Sequence, residues 1–563
     1  MEKLLRRLLI LVGVFVVLGI GACFSDPDLS GLPCKNDSDC LGLFCYNGHC
    51  SGRTRSDELH TERASVDGSS QDVSKAVPEQ TSNEMEQSSG PETEPEPEGP
   101  AEPQEESGNE TNSNEPTVQE QAKEKEPSTF QKAGVLQLGS TGDDDIRTIA
   151  VDSDNNIYIT GYFGSTVTLG TKALQTGNVD TYVAKLNPQG EVLWVAQTRG
   201  NGTSLSFDMV VDPKGNIYIG GRFGGKTGQS TTFESTTLTC SGGLDIFVAK
   251  LDSQGQWQWA VRAGGDRKDL LSQIALYPDG SGVAVTGSFQ DTSTFGFTTL
   301  TSNKGSPDLY IGKVSSKGSW QWAVRAGGVG EELGSDVHVD TTGAVYITGH
   351  IGSHTTFGSI ALTSMGSRDL LFAKYHGDWK FAVNAGSSND DRGIALVPYL
   401  DQYWIVGQFT GTTATFGSIT MEGGHPTKKN IWVLQVQKNG RVSTTLKAVG
   451  SEHMLARDVV LDSQGNLVIT GVFSGTAKFG SITVSSKGGE DIFVAKVQNT
   501  NIQFSHVLHI GGSKNDRPTS LAPYPLDHTL LLSGFITDQA TIGGIPITSK
   551  GGKDGILWKL KFP

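Results

Sequence analysis

Acidic and basic side chains gather in seven short segments of this chain, GSTGDDD, RGNGTSLSFD, AGGDRKD, AGGVGEE, AGSSNDDRG, VGSEHMLARD and IGGSKNDRP. Their charged candidates are Asp143, Asp144, Asp145, Arg147, Asp266, Arg267, Glu331, Glu332, Asp390, Asp391, Arg392, Arg457, Asp458, Asp516 and Arg517. Carboxylates beside guanidinium groups hold polar ligands through charge-assisted hydrogen bonds. With displaced ionisation they can also move protons. Solvated turns laced by local salt bridges are the structural alternative. Other chemistry is sparse. No H-E-x-x-H, G-x-S-x-G, P-loop or dinucleotide fingerprint occurs, so those motif routes to protease, esterase, nucleotide enzyme and dehydrogenase are closed. The eleven histidines do not recur at equivalent places. His350 and His354 come nearest to a metal pair, but they follow a strand, where that spacing is not one helical face. Asp152, Asp154 and Asn156 match the start of a calcium loop, yet Ile157 stands at its turning glycine and Phe163 at its closing Glu. Asp and Asn side chains bonding their own backbone in a turn account for them. No catalytic residue, metal or cofactor is expected.

What must position the charged segments is a repeat. A glycine preceded by a short β-branched, aromatic or leucine-rich run recurs at Gly161, Gly221, Gly287, Gly349, Gly407, Gly471 and Gly534, 58 to 66 residues apart. A period of that length means stacked supersecondary units. The runs NIYIT, NIYIG, VAVT, VYIT, YWIV, NLVIT and TLLLS read as the second strand of a hairpin, most after a polar turn such as VDPKGN. After each glycine a small hairpin follows, as in TATFGSITM. A third strand then opens on Asp180, Asp245, Asp308, Asp369, Asn430, Asp491 or Asp554. A fourth, clearest as QWQWAVRAGG, ends on glycine and leads into a charged segment. No sustained 3.6-residue apolar period appears. Four antiparallel strands repeated seven times predict an all-β, seven-bladed β-propeller, whose radial repetition leaves only short sheet edges. The last unit stops at Pro563 without a fourth strand, and a surplus strand, Phe130 to Leu138, precedes the first. Pairing of the two ends would close the ring, and an open solenoid would show capping units.

The third-strand Asp is followed five residues later by Lys185, Lys250, Lys313, Lys374, Lys496 or Lys559, whereas the fifth unit has Asn430 and Gln435. Joint loss of both charges links the two positions, as in ion pairs between neighbouring strands or blades. Residues that repeat in this way read as scaffold. Those that differ between units, in the crossings from one blade to the next, are the candidates for binding.

The pattern D-x-x-G-N-x-Y-x-T-G-x-F, then F-G, G-x-D-x-F-V-A-K-L and W-x-W-A-V-x-A-G-G resembles the bacterial seven-bladed β-propeller (SBBP-type) repeat family over residues 130–563. The resemblance implies a propeller and export. It implies no common enzymatic activity. Units three, five and seven depart from it, with ALYPDGSG, ALVPYLDQ and LAPYPLDH in place of the Asp turn.

Residues 1–22 read as a lipoprotein signal peptide. Lys3, Arg6 and Arg7 precede an apolar core from Leu8 to Leu18, and Ile20-Gly21-Ala22-Cys23 matches a lipobox. About 15 apolar residues fall short of the ~20 that span a bilayer, so Cys23 is expected to carry lipid rather than follow a membrane helix. Phe24 follows it, and outer-membrane anchoring in the bacterial envelope is the expectation. Cys34, Cys40, Cys45 and Cys50 crowd into residues 23–50 and read as two disulfides of open connectivity, each contributing about 3 kcal/mol. Zinc is the competing reading there, though paired C-x-x-C knuckles are missing. Cys240 stands where other units have Ser302, Ser364, Ser486 or Ser549 and reads as a small-residue substitution. Residues 51–129 hold 20 acidic and 6 basic side chains, and so account for −14 of the chain's net −16. That acidic, proline-rich composition predicts a disordered tether of about 50 Å root-mean-square span, and the charge says nothing about the propeller's ligand. Nucleic acid would need a concentrated basic stripe, which is missing.

The expected function is a monomeric, non-enzymatic surface lipoprotein whose propeller binds protein, peptide or glycan, or serves as a scaffold. The rival is a propeller enzyme, a lyase or hydrolase, at the channel mouth.

Overall fold

The computed structural model describes Phe130 and residues 134–562 apart from residue 304, together with the backbone of Phe44–Tyr46 and His49–Ser51. The chain divides into Met1–Thr117 and Val118–Pro563. In the first unit the two short strands pair antiparallel, with Cys45 opposite Cys50. The signal segment, Cys23, Cys34, Cys40 and the acidic segment lie outside the described residues.

The second unit is all-β. Its first strands are Asp144–Val151, Thr203–Val211, Leu270–Leu276, Leu333–Val339, Arg392–Tyr399, Met454–Leu461 and Arg517–Tyr524. Each pairs antiparallel with a second strand: Ile157–Phe163, Ile217–Gly224, Gly282–Phe289, Val345–Phe357, Gln402–Thr410, Leu467–Phe473 and Thr529–Ile542. Third strands follow, Asp180–Leu186, Leu244–Leu251, Asp308–Ser315, Ile360–His376, Lys429–Gln437, Asp491–Gln498 and Ile545–Leu560. Fourth strands such as Trp257–Gly265 and Trp320–Val329 complete the order. Second strands are buried on both faces, Gly282–Phe289 and Leu467–Phe473 at every residue. That explains their continuous apolar runs, because sheets of neighbouring units pack against these strands and neither face meets water. First strands lie beside one another in sequence order, and Arg517–Tyr524 lies beside Asp144–Val151.

The surplus strand is shorter than expected, Val135–Leu138, because Gly134 at φ +67° turns the chain before it. It pairs antiparallel with Ile545–Leu560, Val135 opposite Trp558 and Leu138 opposite Gly555. Its side chains also take fourth-strand roles. Gln137 Nε2 donates to Asp554 Oδ2 at 2.6 Å, where Arg262 and Arg325 meet Asp245 and Asp308 at 3.2 Å in other units. Gly139 faces Asp554 as Gly327 faces Asp308, with no room for a Cβ in either place.

The inserted hairpins reach backward. Thr292–Phe295 adds to Trp257–Gly265 of the preceding unit, and Thr476–Phe479 to Val442–Gly450. Trp194 and Trp259 reach forward, donating Nε1–H to the Ser253 and Ser316 carbonyls over turn glycines Gly255 and Gly318. Neighbouring units are thus stitched in both directions.

The paired loss at Asn430 and Gln435 does not reflect an ion pair between those two positions. The third-strand Asp bonds across to the fourth strand, whereas the Lys stands at the strand's other end. There Lys185 meets Asp152 at 3.3 Å, Lys496 meets Asp462 at 2.8 Å and Lys559 meets Asp527 at 2.5 Å. Five residues of strand separate the two positions by roughly 17 Å, too far for one ion pair.

The repeat glycine answers to a close approach. None of the seven sits at positive φ. A Cβ on Gly287 would stand 1.9 Å from the Leu270 carbonyl oxygen, and one on Gly161 2.0 Å from that of Asp145. Gly287→Ala is therefore expected to cost about 2–3 kcal/mol in urea unfolding by forcing two backbones apart. Gly177→Ala, which meets nothing within 4 Å, should stay within about 0.5 kcal/mol of the parent. Equal effects would refute the steric account.

Candidate functional site

Every first strand is broken by a β-bulge where it passes its repeat glycine. The ladder skips one residue in each: Arg147, Phe207, Ser272, Ser335, Ile394, Arg457 and Thr519. A bulge re-aims a side chain while the strand continues. All seven line one cavity of about 200 Å³. The carbonyl that crowds each glycine lies two residues before the skipped one, as Asp145 before Arg147 and Leu270 before Ser272, so the glycine contact and the bulge fall at one place in the strand pair.

The residue after the bulge is Thr148, Asp208, Gln273, Asp336, Ala395, Asp458 or Ser520. Its three carboxyls fall in the second, fourth and sixth units, and each clips to the next. The N–H of Ile274 donates to Asp208 Oδ2 at 2.8 Å, that of Leu396 to Asp336 Oδ2 at 2.7 Å, and that of Leu521 to Asp458 Oδ2 at 2.7 Å. The other oxygen of Asp336 and of Asp458 accepts from Val337 or Val459 at 2.7 Å. Burial pushes these carboxyls up, Asp208 to about 7, Asp336 to about 8 and Asp458 to about 6. The backbone donors oppose that rise, and Asp458 adds to it at the other two.

Guanidinium groups crowd one side. Arg147 Nε lies 2.9 Å from Asp145 Oδ2, and Arg517 Nε 2.5 Å from Glu490 Oε2. Arg457 is open to water within the cavity yet surrounded by protein. Burial and the charges of Arg517 and Arg147 lower its pKa, against Glu490. Arg222, on the second strand of the second unit opposite Leu205, is lowered by burial and by Arg147. The rings of Phe207 and Tyr162 lie under these cations, with Arg222 5.1 Å and Arg147 5.8 Å from Phe207.

Apart from Asp266, the fifteen residues singled out in the sequence separate into three groups. Arg147, Arg457 and Asp458 sit at or next to bulges and face the cavity. Asp144, Glu332, Asp391 and Asp516 are buried and fold their own crossings. Each accepts the N–H four residues earlier, that of Ser140, Gly328, Ser387 or Gly512. Asp269 does the same with Gly265, at 2.8 Å, and was not singled out. Burial raises this set, Glu332 and Asp269 to about 7 and Asp391 and Asp516 to about 6. The others pair locally: Asp145 with Arg147, Asp143 with Lys553, Arg267 with Asp291, Glu331 with Arg368, and Arg517 with Glu490. Asp390 holds Arg368, Arg392 and Lys429, which keep its carboxyl down at about 2 against burial. Asp266 is exposed.

His350 is buried beside that cluster, and burial together with Arg392 and Arg368 lowers it to about 3. His354 is exposed, 3.2 Å from Thr363 Oγ1. Asp152 Oδ1 accepts the N–H groups of Asp154 and Asn156, the bonding expected of a turn. Cys240 is buried, 3.5 Å from the Gly242 and Gly243 carbonyls, and burial raises its thiol, away from the reactive thiolate. Among the described residues no His, Cys, Asp and Glu side chains group as a metal site, and no helix is long and apolar enough to cross a membrane.

Phe207, Asp208, Ser272, Gln273, Ser335, Asp336, Ile394 and Thr519 were missed by sequence reasoning. The bulge residues stand thirteen to fifteen residues before the repeat glycine, and counting back from it would have found them.

The Beta-propeller repeat family matches residues 134–162, from the N-terminal strand into the second strand of the first unit. With four-strand units of the same order recurring through residue 560, the chain is a β-propeller repeat protein. An uncharacterized WD repeat-containing protein of Acanthamoeba polyphaga mimivirus is 26% identical over 156 residues, 25% of this chain and 11% of that protein. The chain thus spans about a tenth of that relative's length. Solved structures that align with it include the Dos1 propeller, at 11% identity and TM-score 0.36 over 75% of this chain and 93% of that one. Sqt1 from Chaetomium thermophilum aligns at 9% identity and TM-score 0.37, over 76% and 99%. A europium-containing methanol dehydrogenase aligns at 10% and 0.30, over 76% and 94%.

Proposed function

We propose that this protein is a lipid-anchored lipoprotein of the bacterial envelope, whose propeller is a closed seven-bladed ring acting as a non-enzymatic binding module for protein, peptide or glycan. The observation that carries the binding role is the bulge set: seven units present seven side chains of differing chemistry to one cavity from a common backbone. Closure is supported by the pairing of Val135–Leu138 with Ile545–Leu560 and by Arg517–Tyr524 lying beside Asp144–Val151. The lipobox at Cys23 supports anchoring, with the acidic segment as tether and the outer membrane as the site. The protein acts as a monomer and without cofactor.

One observation favours an enzyme. Carboxyls near neutral pKa stand beside Arg457, as acid–base catalysis requires. Against it, one oxygen each of Asp336 and Asp458 accepts a backbone N–H of the next unit and the other accepts that of the following residue, a scaffold role.

Crosslinking in the native envelope tests the binding reading with the full chain and its F207S/I394S variant. A specific protein or glycan captured by the parent and at least tenfold less by the variant is expected. Equal capture, or no specific partner, would overturn it. In the same preparation Cys23→Ser should move the chain from the detergent phase to the aqueous phase; unchanged partition would refute the anchor.

A further inference from the structure

Arg147 and Arg457 line the cavity, Arg222 lies near Arg147 and Arg517 near Arg457, and only two of the four guanidinium groups have an ion-pair partner among the described residues. Arg147 and Arg517 have carboxylate partners in Asp145 and Glu490. Among the described residues no carboxylate lies within ion-pair distance of Arg457 or Arg222, and Arg222 Nε is buried without a hydrogen bond. Like charges drawn together in a partly enclosed site repel strongly, because protein screens them less than water does. The Phe207 ring offsets part of that repulsion at Arg222 and Arg147, whereas Arg457 has neither a ring nor a carboxylate as partner among the described residues. An anion supplied from outside would offset the rest.

The cavity limits what that anion can be. Its volume of about 200 Å³ equals the share of roughly seven waters in the liquid, room for a molecule of monosaccharide size. Most of its lining is polar. Ser272, Ser335, Gln273 and Asp208 offer hydroxyl, amide and carboxyl groups to a hydroxylated body, with one aromatic face at Phe207. A phosphate ion would fill only part of this volume, and an acidic peptide side chain, Asp or Glu, carries no hydroxyls of its own to meet the lining groups around its carboxylate. We infer that the bulge-lined cavity binds a sugar acid, a polyhydroxylated monocarboxylate of the uronate class, with its carboxylate held by Arg457 and Arg147. This deepens, and rests on, the reading of the cavity as a binding site.

Calorimetric titration of the full chain with D-glucuronate, glucose and inorganic phosphate tests it. Glucuronate should bind at least tenfold more tightly than glucose or phosphate, and Arg457→Gln should weaken it at least tenfold. Because Arg457→Gln also removes a repelled charge, its ligand-free Tm should equal or exceed that of the parent, which separates lost binding from lost folding. Ser272→Ala, which leaves the charges in place, should weaken glucuronate alone. Phosphate binding as tight as glucuronate would overturn the sugar-acid class, and so would preference for an acidic peptide. Undiminished glucuronate affinity in Arg457→Gln would overturn the site. If glucuronate fails while the envelope partner is still captured, this inference falls and the binding-module reading stands.

Discussion

Deletion of residues 130–138 from the full chain is expected to lower Tm by at least about 10 °C and to produce concentration-dependent oligomers. Two effects add. The deletion removes Phe130, Val135 and Leu138 from the core, where they are 5%, 1% and 0% exposed. Burial of each such side chain stabilises by about 1.5–3 kcal/mol, and a domain of a few hundred residues shifts by roughly 2–4 °C per kcal/mol. It also strips the partner from Ile545–Leu560, leaving a long unpaired edge that another chain can join. Differential scanning calorimetry and light scattering read the two effects separately. An unchanged Tm in a chain that stays monomeric would show that the strand closes nothing.

The second large effect is on pH. Asp336 near 8, Asp208 and Asp269 near 7, Glu332 near 7, and Asp458, Asp391 and Asp516 near 6 all hold their protons more tightly folded than unfolded. Between about pH 4 and those folded values the native state carries more protons than the unfolded chain, so stability falls as pH rises through that window. Asp390, held near 2, works the other way. Its contribution is present above about pH 4 and is lost as pH falls toward 2. Maximum stability is thus expected in mildly acid solution, around pH 4–5, with Tm several degrees lower at pH 8.5. Asp336→Asn keeps an oxygen for the Leu396 N–H and has no proton to lose. It should recover part of that loss at pH 8.5 and change little at pH 5. A Tm that is flat from pH 5 to 8.5, or equal slopes in parent and variant, would refute the assignment.

The fold was legible because its cause is periodic. The repeat glycine and the third-strand Asp each mark a contact made in nearly every unit, and the W-x-W-A-V strand one made in two, so one sequence displays the same contact several times. Even Gln137, at the far end of the chain from Asp554, could be placed by analogy with Arg262. The site was less legible, for two physical reasons. A crossing-loop acid such as Asp391 looks like a surface charge, and only the fold shows it turned inward onto the N–H of Ser387. A bulge leaves no composition signal, since Arg147, Phe207 and Ile394 share nothing except distance from a glycine. Strand length was also misread at Phe130, which a backbone turn at Gly134 separates from the strand.

That shared distance separates two tasks within the same strand. The hydrogen-bond ladder resumes after the skipped residue, so the ladder itself makes no demand on that side chain's type, while geometry delivers it to the same cavity each time. Seven such places amount to a short word written in a fixed frame. Letters can change without rewriting the grammar, and two proteins of this architecture can therefore be near-identical in fold while sharing no specificity at all.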